Sequence, residues 1–164
     1  MIALVMCLFS CSIFYFIWTD KFENKFIEKV KNRLSKGLKS SFYNQKTDLN
    51  DILKKLPEFD CDSDTFKNLL LGNRISDKNK ITSSFYKSDI IRFVIIVFSL
   101  NNNNTSHKQI KEIISHYFIE KKTGEKYNLQ DKASEISGIY REQINESDKF
   151  TSIQNRINNL FIDD

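Results

Sequence analysis

Ile90-Ile91-Arg92-Phe93-Val94-Ile95-Ile96-Val97-Phe98-Ser99-Leu100 is the most apolar run outside the amino terminus. Its β-branched residues suit a strand. Eleven residues is long for a strand, however, and the flanking sequence offers no partner strands. As a second membrane pass the run falls short: a helix of this length spans about 16 Å, against a hydrocarbon core of about 30 Å, and Arg92 interrupts it. The reading left is a helix buried on all sides, capped by Ser88 and ended by the polar break Asn101–Asn104.

The sequence around this run patterns as further helices, and one Pro and four Gly among 164 residues leave few breakers. Thr47 or Asp48 is placed to cap a helix reaching Leu56, which Pro57 stops. Asp62, Ser63 or Asp64 caps the next, Thr65 to Leu71, with Gly72 at its end. Asn73 to Lys80 is polar and reads as loop. Thr105 or Ser106 opens a helix in which Ile110, Ile113, Ile114, Tyr117 and Phe118 keep the i, i+3, i+4, i+7, i+8 spacing, closed by Gly124. Leu129, Ile136, Ile139, Tyr140 and Ile144 mark another helix from about Asn128. Phe150, Ile153, Ile157, Leu160 and Phe161 mark a last one, capped near Ser147. The expected fold is all-α: an irregular helical bundle around Ile90–Leu100, over residues 47–164, tethered by a single N-terminal transmembrane helix.

The tether is residues 1–18, Met1 to Trp18, MIALVMCLFSCSIFYFIW, which carries no charged side chain. As a helix it reaches about 27 Å, just enough to cross a bilayer. Tyr15 and Trp18 stand at its far end, where amphipathic rings favour the headgroup zone. A cleaved signal peptide needs a basic start and small residues at the cleavage site, and neither is present. Leu8-Phe9-Ser10-Cys11 is a poor lipobox, because Phe9 is bulky and the apolar run continues past Cys11. The expectation is a retained membrane anchor. Lys21, Lys25, Lys29, Lys31 and Arg33 follow it and none precedes it. The positive-inside rule then places the C-terminal domain in the cytoplasm.

Residues 19–46 form a basic collar. Between Asp20 and Lys46 eight Lys/Arg face three Asp/Glu, a balance of +5, so the rest of the chain carries −1 of the total of +4. A near-neutral domain of this kind is not a nucleic-acid binder by composition. Phe22, Phe26, Val30 and Leu34 repeat every four residues, and Lys21, Lys25, Lys29 and Arg33 form the adjacent stripe, up to Gly37. One reading is an amphipathic helix on an anionic lipid surface, each basic residue contributing about 1 kcal/mol there. The other is an ordinary surface helix with its apolar stripe on the domain core.

Chemical motifs fail one by one. Asp60-Cys61-Asp62-Ser63-Asp64 opens like a calcium loop, but Thr65 and Leu71 stand where Gly and a bidentate Glu are required. Its carboxylates suit a helix N-terminus instead. His107 and His116 are nine residues apart, on opposite faces of one helix. Cys61 is the one cysteine of the domain, since Cys7 and Cys11 belong to the apolar segment, so no zinc set and no internal disulfide can form there. Phosphate-loop, dinucleotide, serine-elbow and zinc-protease motifs are absent. No catalytic, cofactor-binding or metal-binding residues are expected, and no nucleic-acid or small-molecule ligand. The expected role is a non-enzymatic, membrane-anchored protein-interaction module (accessory, inhibitor or immunity-type factor) whose partners are membrane lipid and another protein. An exported, tethered binder is the first alternative. The second is a membrane-associated enzyme built from scattered carboxylates and Tyr.

Overall fold

The computed structural model describes residues 38–43, 47–100, 104–129 and 133–161. Met1–Trp18 and the basic segment to Gly37 lie outside the described residues. So do the residues expected at the membrane: Tyr15, Trp18, Lys21, Lys25, Lys29 and Arg33. The chain divides into two units, Met1–Gly37 and Leu38–Asp164. The second unit is mostly helical, with a small three-stranded sheet that the all-α expectation lacks.

Local chemistry sets most helix ends. Helix α1 (Leu49–Lys55) starts at Asp48, whose carboxylate accepts from the N–H groups of Asn50 (2.9 Å) and Asp51 (3.3 Å). Helix α2 (Ser63–Leu71) is capped by Asp62, which accepts from Thr65 N–H at 2.6 Å and from the Thr65 hydroxyl at 3.1 Å. Gly72, at φ 66°, turns the chain out of α2, and the Gly72 and Asn73 N–H groups return to Leu69 and Asn68. Within the acidic run at 60–64, Asp62 is thus a helix cap and Asp64 lies in the first turn of α2. Among the described residues no group of three His, Cys, Asp or Glu gathers as a metal site.

Helix α3 (Lys87–Val97) is the expected central helix, and every side chain from Ile90 to Val97 is buried. Its cap is Tyr86 rather than Ser88: the Tyr86 carbonyl accepts from Asp89 and Ile90, and no side chain caps the end. Helices α4 (Asn104–Tyr117), α5 (Ala133–Ile144) and α6 (Asp148–Phe161) pack around α3. α6 begins where expected, with Ser147 Oγ accepting from Phe150 N–H at 3.4 Å. Leu129 is buried ahead of α5 rather than within it, and Ile144, at the end of α5, is exposed. A short 3-10 turn, Asp77–Asn79, sits in the expected loop. Among the described residues no helix is long and apolar enough to cross a membrane.

The sheet is built from β1 (Phe59–Asp60), β2 (Ile81–Ser83) and β3 (Phe118–Glu120), in the order β1-β2-β3. β1 pairs antiparallel with β2, placing Phe59 opposite Ser83. β2 pairs parallel with β3, placing Ile81 opposite Phe118. This corrects the helix expected to run on to Gly124. The apolar spacing continues through Phe118, but the backbone leaves the helix at Tyr117 to bond with β2, and Lys121 N–H extends the ladder to the Ser83 carbonyl. Gly124 (φ 70°) instead closes the turn after β3, donating to the Glu120 carbonyl.

The sheet is anchored by aromatic packing. The buried Phe59 ring meets Phe93 of α3 at 4.9 Å and Phe85 at 5.2 Å, both edge-on, and Phe118 at 5.5 Å. Edge-on pairs place the positive ring edge on the negative face. Strands of two and three residues therefore hold because their side chains complete a core that α3 begins. Leu38, Phe42 and Tyr43 also pack on this core, and Ser40 N–H donates to the Leu70 carbonyl at 2.8 Å.

Candidate functional site

Arg92 is the residue that does not fit its surroundings. It lies in the apolar run of α3, and its side chain is 6% exposed. Burying a guanidinium costs several kcal/mol unless it is paired and hydrogen-bonded. Two carboxylates meet it. Glu142 of α5 takes a two-point grip, accepting from Nε at 2.8 Å and Nη2 at 3.0 Å, and Asp89, one turn back on α3, accepts from Nη1 at 2.5 Å. The planar fork of Arg matches a carboxylate in this way, whereas a Lys would offer a single point. The pairing locks α3 to α5.

Asp89 and Arg92 form the floor of an open groove of about 850 Å³. One wall is α6, with Asp148, Lys149, Ser152, Ile153 and Arg156. The other is the link from β2 into α3, Ser84-Phe85-Tyr86, with Glu58 at the end. A second two-point pair crosses that end: Arg156 donates to the Glu58 carboxylate at 2.7 and 2.8 Å, and to the Lys55 carbonyl at 3.1 Å. Burial, the largest single influence, raises the Glu58 carboxyl, but the hydrogen bond from Arg156, a backbone hydrogen bond and the Arg156 charge together outweigh it and hold the group below the ordinary glutamate value. Glu58 is thus kept ionised and occupied. It is not a carboxyl poised near neutrality, as general acid–base work requires.

The link carrying Tyr86 is held firmly. The hydroxyl of Tyr127 shares its one proton between the carbonyls of Ser83 (3.1 Å) and Phe85 (2.9 Å). Phe85 N–H donates to Ser83 Oγ at 3.2 Å, and Ser84 N–H donates to the Glu58 carbonyl at 2.9 Å. On this rigid backbone the Tyr86 side chain stands 80% exposed. It also lines a smaller hollow of about 220 Å³, bordered by Glu120 at the end of β3 and by Lys121 and Lys122.

The two histidines sit apart, as their spacing requires. His107 stacks on the Tyr140 ring at 5.7 Å. His116 accepts from Ile75 N–H at 3.3 Å and packs edge-on against Tyr117. Cys61 is partly buried; burial first, then Asp62 and Asp60, push its thiol up to about 12, which makes it unreactive.

Comparison with protein-family models, with curated proteins and with solved structures finds no match to this chain. The groove and its chemistry stand alone as the guide to function. None of its residues was singled out by sequence motif. Arg92 alone carried a signal, as a charge inside an apolar run. Glu58 and Arg156 are 98 positions apart, and nothing in their local sequence pairs them.

Proposed function

We propose that this chain is a non-enzymatic protein-interaction module, tethered to a membrane through Met1–Trp18, whose domain grips a partner protein across the Tyr86 lip of the groove. The observation that carries the reading is Tyr86 itself. A large ring held out to solvent on a backbone pinned from both sides gains nothing for the fold. Tyr and Arg are enriched among the residues that carry binding energy at protein interfaces: Tyr offers large area with only two torsions to freeze, and Arg a planar head with several donors. Arg156 lines the same groove as Tyr86 in a fixed two-point pair, above the buried Arg92–Glu142 pair, so a partner meets a surface that loses little side-chain freedom on binding. The groove also mixes the two charge signs with Phe85 and Ile153, as the rim and centre of a protein interface do. The basic stripe Lys21, Lys25, Lys29 and Arg33 would add contact with anionic lipid beside the tether.

The test replaces Tyr86 by a photo-crosslinking phenylalanine analogue in the full chain, in the cells that carry its gene, with Lys67 on α2 replaced in the same way as the reference. The expected result is one dominant protein adduct at position 86, missing at position 67 and weakened when Ser152→Arg fills the groove. Equal, diffuse labelling at both positions would rule out the Tyr86 surface as a binding site. A reporter at Asp164 that is active on one side of the membrane only then decides whether the partner is cytoplasmic or, in the exported alternative, external.

A further inference from the structure

Away from the groove, the loop from Asn73 to Lys80 lies against the end of α4, and three features tie it there. Tyr117 Oη donates to the Asn73 carbonyl at 2.6 Å, Ile75 N–H donates to His116 Nε2, and Lys80 Nζ donates to the Ser115 carbonyl at 3.0 Å. Lys80 is the unusual member, with its side chain only 4% exposed. A buried ammonium needs a counter-charge of its own. Its carboxylate is Asp77, at 2.9 Å, but Asp77 is shared: Lys126, arriving from the turn after β3, reaches the same Oδ1 at 3.9 Å. Arg74 is close enough to act on both His116 and Tyr117. Among the described residues, Lys80 and Lys126 thus meet on one carboxylate, Asp77, which is 84% exposed, and the charges of Arg74, Lys80 and Lys126 all bear on His116.

Like charges brought together on folded backbone repel, and a partly buried fixed charge is felt more strongly than one in open water. The neighbouring charges push the local groups in the direction this predicts. Burial lowers Lys80, Asp77 raises it and Lys126 lowers it again, leaving it below the ordinary lysine value. Burial, then Arg74 and Lys80, lower His116. An anion with several acceptor oxygens would relieve this excess, with Lys126 and Arg74 as its contacts and Lys80 as the fixed charge beneath. A single carboxylate is already present in Asp77, so the remaining positive charge suits a compact group with more charge and more acceptors.

The geometry points to the Arg74–Lys80–Lys126 cluster as a binding site for a phosphate group, separate from the groove and independent of the partner reading. The phosphate belongs either to a soluble phosphate compound or to a lipid headgroup. The test reads the two histidine resonances of the full chain by NMR in neutral detergent micelles. His107, on another face, serves as the internal reference. Inorganic phosphate is titrated against chloride at matched ionic strength, and in a second arm phosphatidic acid is added to the micelles.

A saturable shift of His116 but not His107, with the His116 titration midpoint moving upward, supports the site. A response to inorganic phosphate assigns a soluble ligand. A response to phosphatidic acid alone assigns the headgroup. Lys126→Glu should weaken binding by roughly tenfold or more, Arg74→Gln by a smaller factor, and Lys67→Glu on α2 should leave it unchanged. Both test residues project from loops and are exposed, and an unmoved His107 resonance reports that the variants fold. Absence of a His116 shift in both arms overturns the proposal, as does a shift that Lys126→Glu leaves intact.

Discussion

The Arg92 pairing permits a prediction that runs against the usual intuition about which partner of an ion pair matters more. Arg92 is 6% exposed, whereas the Asp89 and Glu142 side chains keep 27% and 32% of their surface. Glu142→Ala removes two charge-assisted hydrogen bonds and leaves a buried guanidinium with Asp89 alone. Such bonds contribute about 1.5–3 kcal/mol each, and partial exposure of Glu142 reduces the sum, so the expected loss is about 2–3 kcal/mol. Arg92→Met keeps most of the apolar stem in the core and abandons two carboxylates that both reach water. Its cost should be only about 1 kcal/mol, since a buried charge is the expensive thing to strand. The double variant should cost less than the sum of the two, because Arg92→Met removes the cation that Glu142→Ala would strand. Urea denaturation followed by far-ultraviolet circular dichroism gives all three values at one pH. If Arg92→Met proves as destabilising as Glu142→Ala, the carboxylates do not hydrate, and the burial asymmetry is not what sets the energetics of this pair.

Glu146 sits at φ 49° where the chain turns out of α5, with Ser147 N–H returning to the Glu142 carbonyl at 2.9 Å. Glycine carries no Cβ penalty there, so Glu146→Gly should raise stability by about 0.5–1 kcal/mol in the same denaturation assay. Cys61, pushed up to about 12, should react with iodoacetamide at pH 8 roughly a thousandfold more slowly in the folded chain than in urea, as followed by peptide mass mapping. His116 faces Arg74, Lys80 and Lys126 on the positive side and Asp77 on the negative, and its folded value lies below the ordinary 6.5. The stability linked to its neutral form is therefore present above the unfolded value near 6.5 and is lost as the pH falls through the lower folded value. His116→Gln, which keeps an acceptor for Ile75 N–H, should flatten the stability profile between about pH 7 and pH 5, and an unchanged slope would deny His116 that role.

Much of this architecture was legible in the sequence, where local chemistry and periodicity speak directly. Asp48 and Asp62 cap their helices because a carboxylate beside free N–H groups needs no distant partner, and Gly72 takes the left-handed turn because it has no Cβ. The run at 90–97 forms the buried helix because, Arg92 apart, it is apolar on every face and too short for a membrane; the helix stops at Val97, three residues before the expected Leu100. The proposed membrane tether and basic stripe rest on length, charge and hydropathy alone, since they fall outside the described residues.

The structure decided the rest, mostly through contacts between residues far apart in the chain. Phe118 continues a helical spacing, yet it becomes a strand because its backbone finds Ile81 and its ring finds Phe59. Ser88 is a good capping residue, yet α3 starts earlier because the Tyr86 carbonyl takes the first helical bonds. Strands of two or three residues carry too few positions to show a period of two. The groove, the Glu58–Arg156 and Arg92–Glu142 pairs and the cations around Lys80 share that origin: each exists only once the helices and sheet have brought distant charges within a few ångströms.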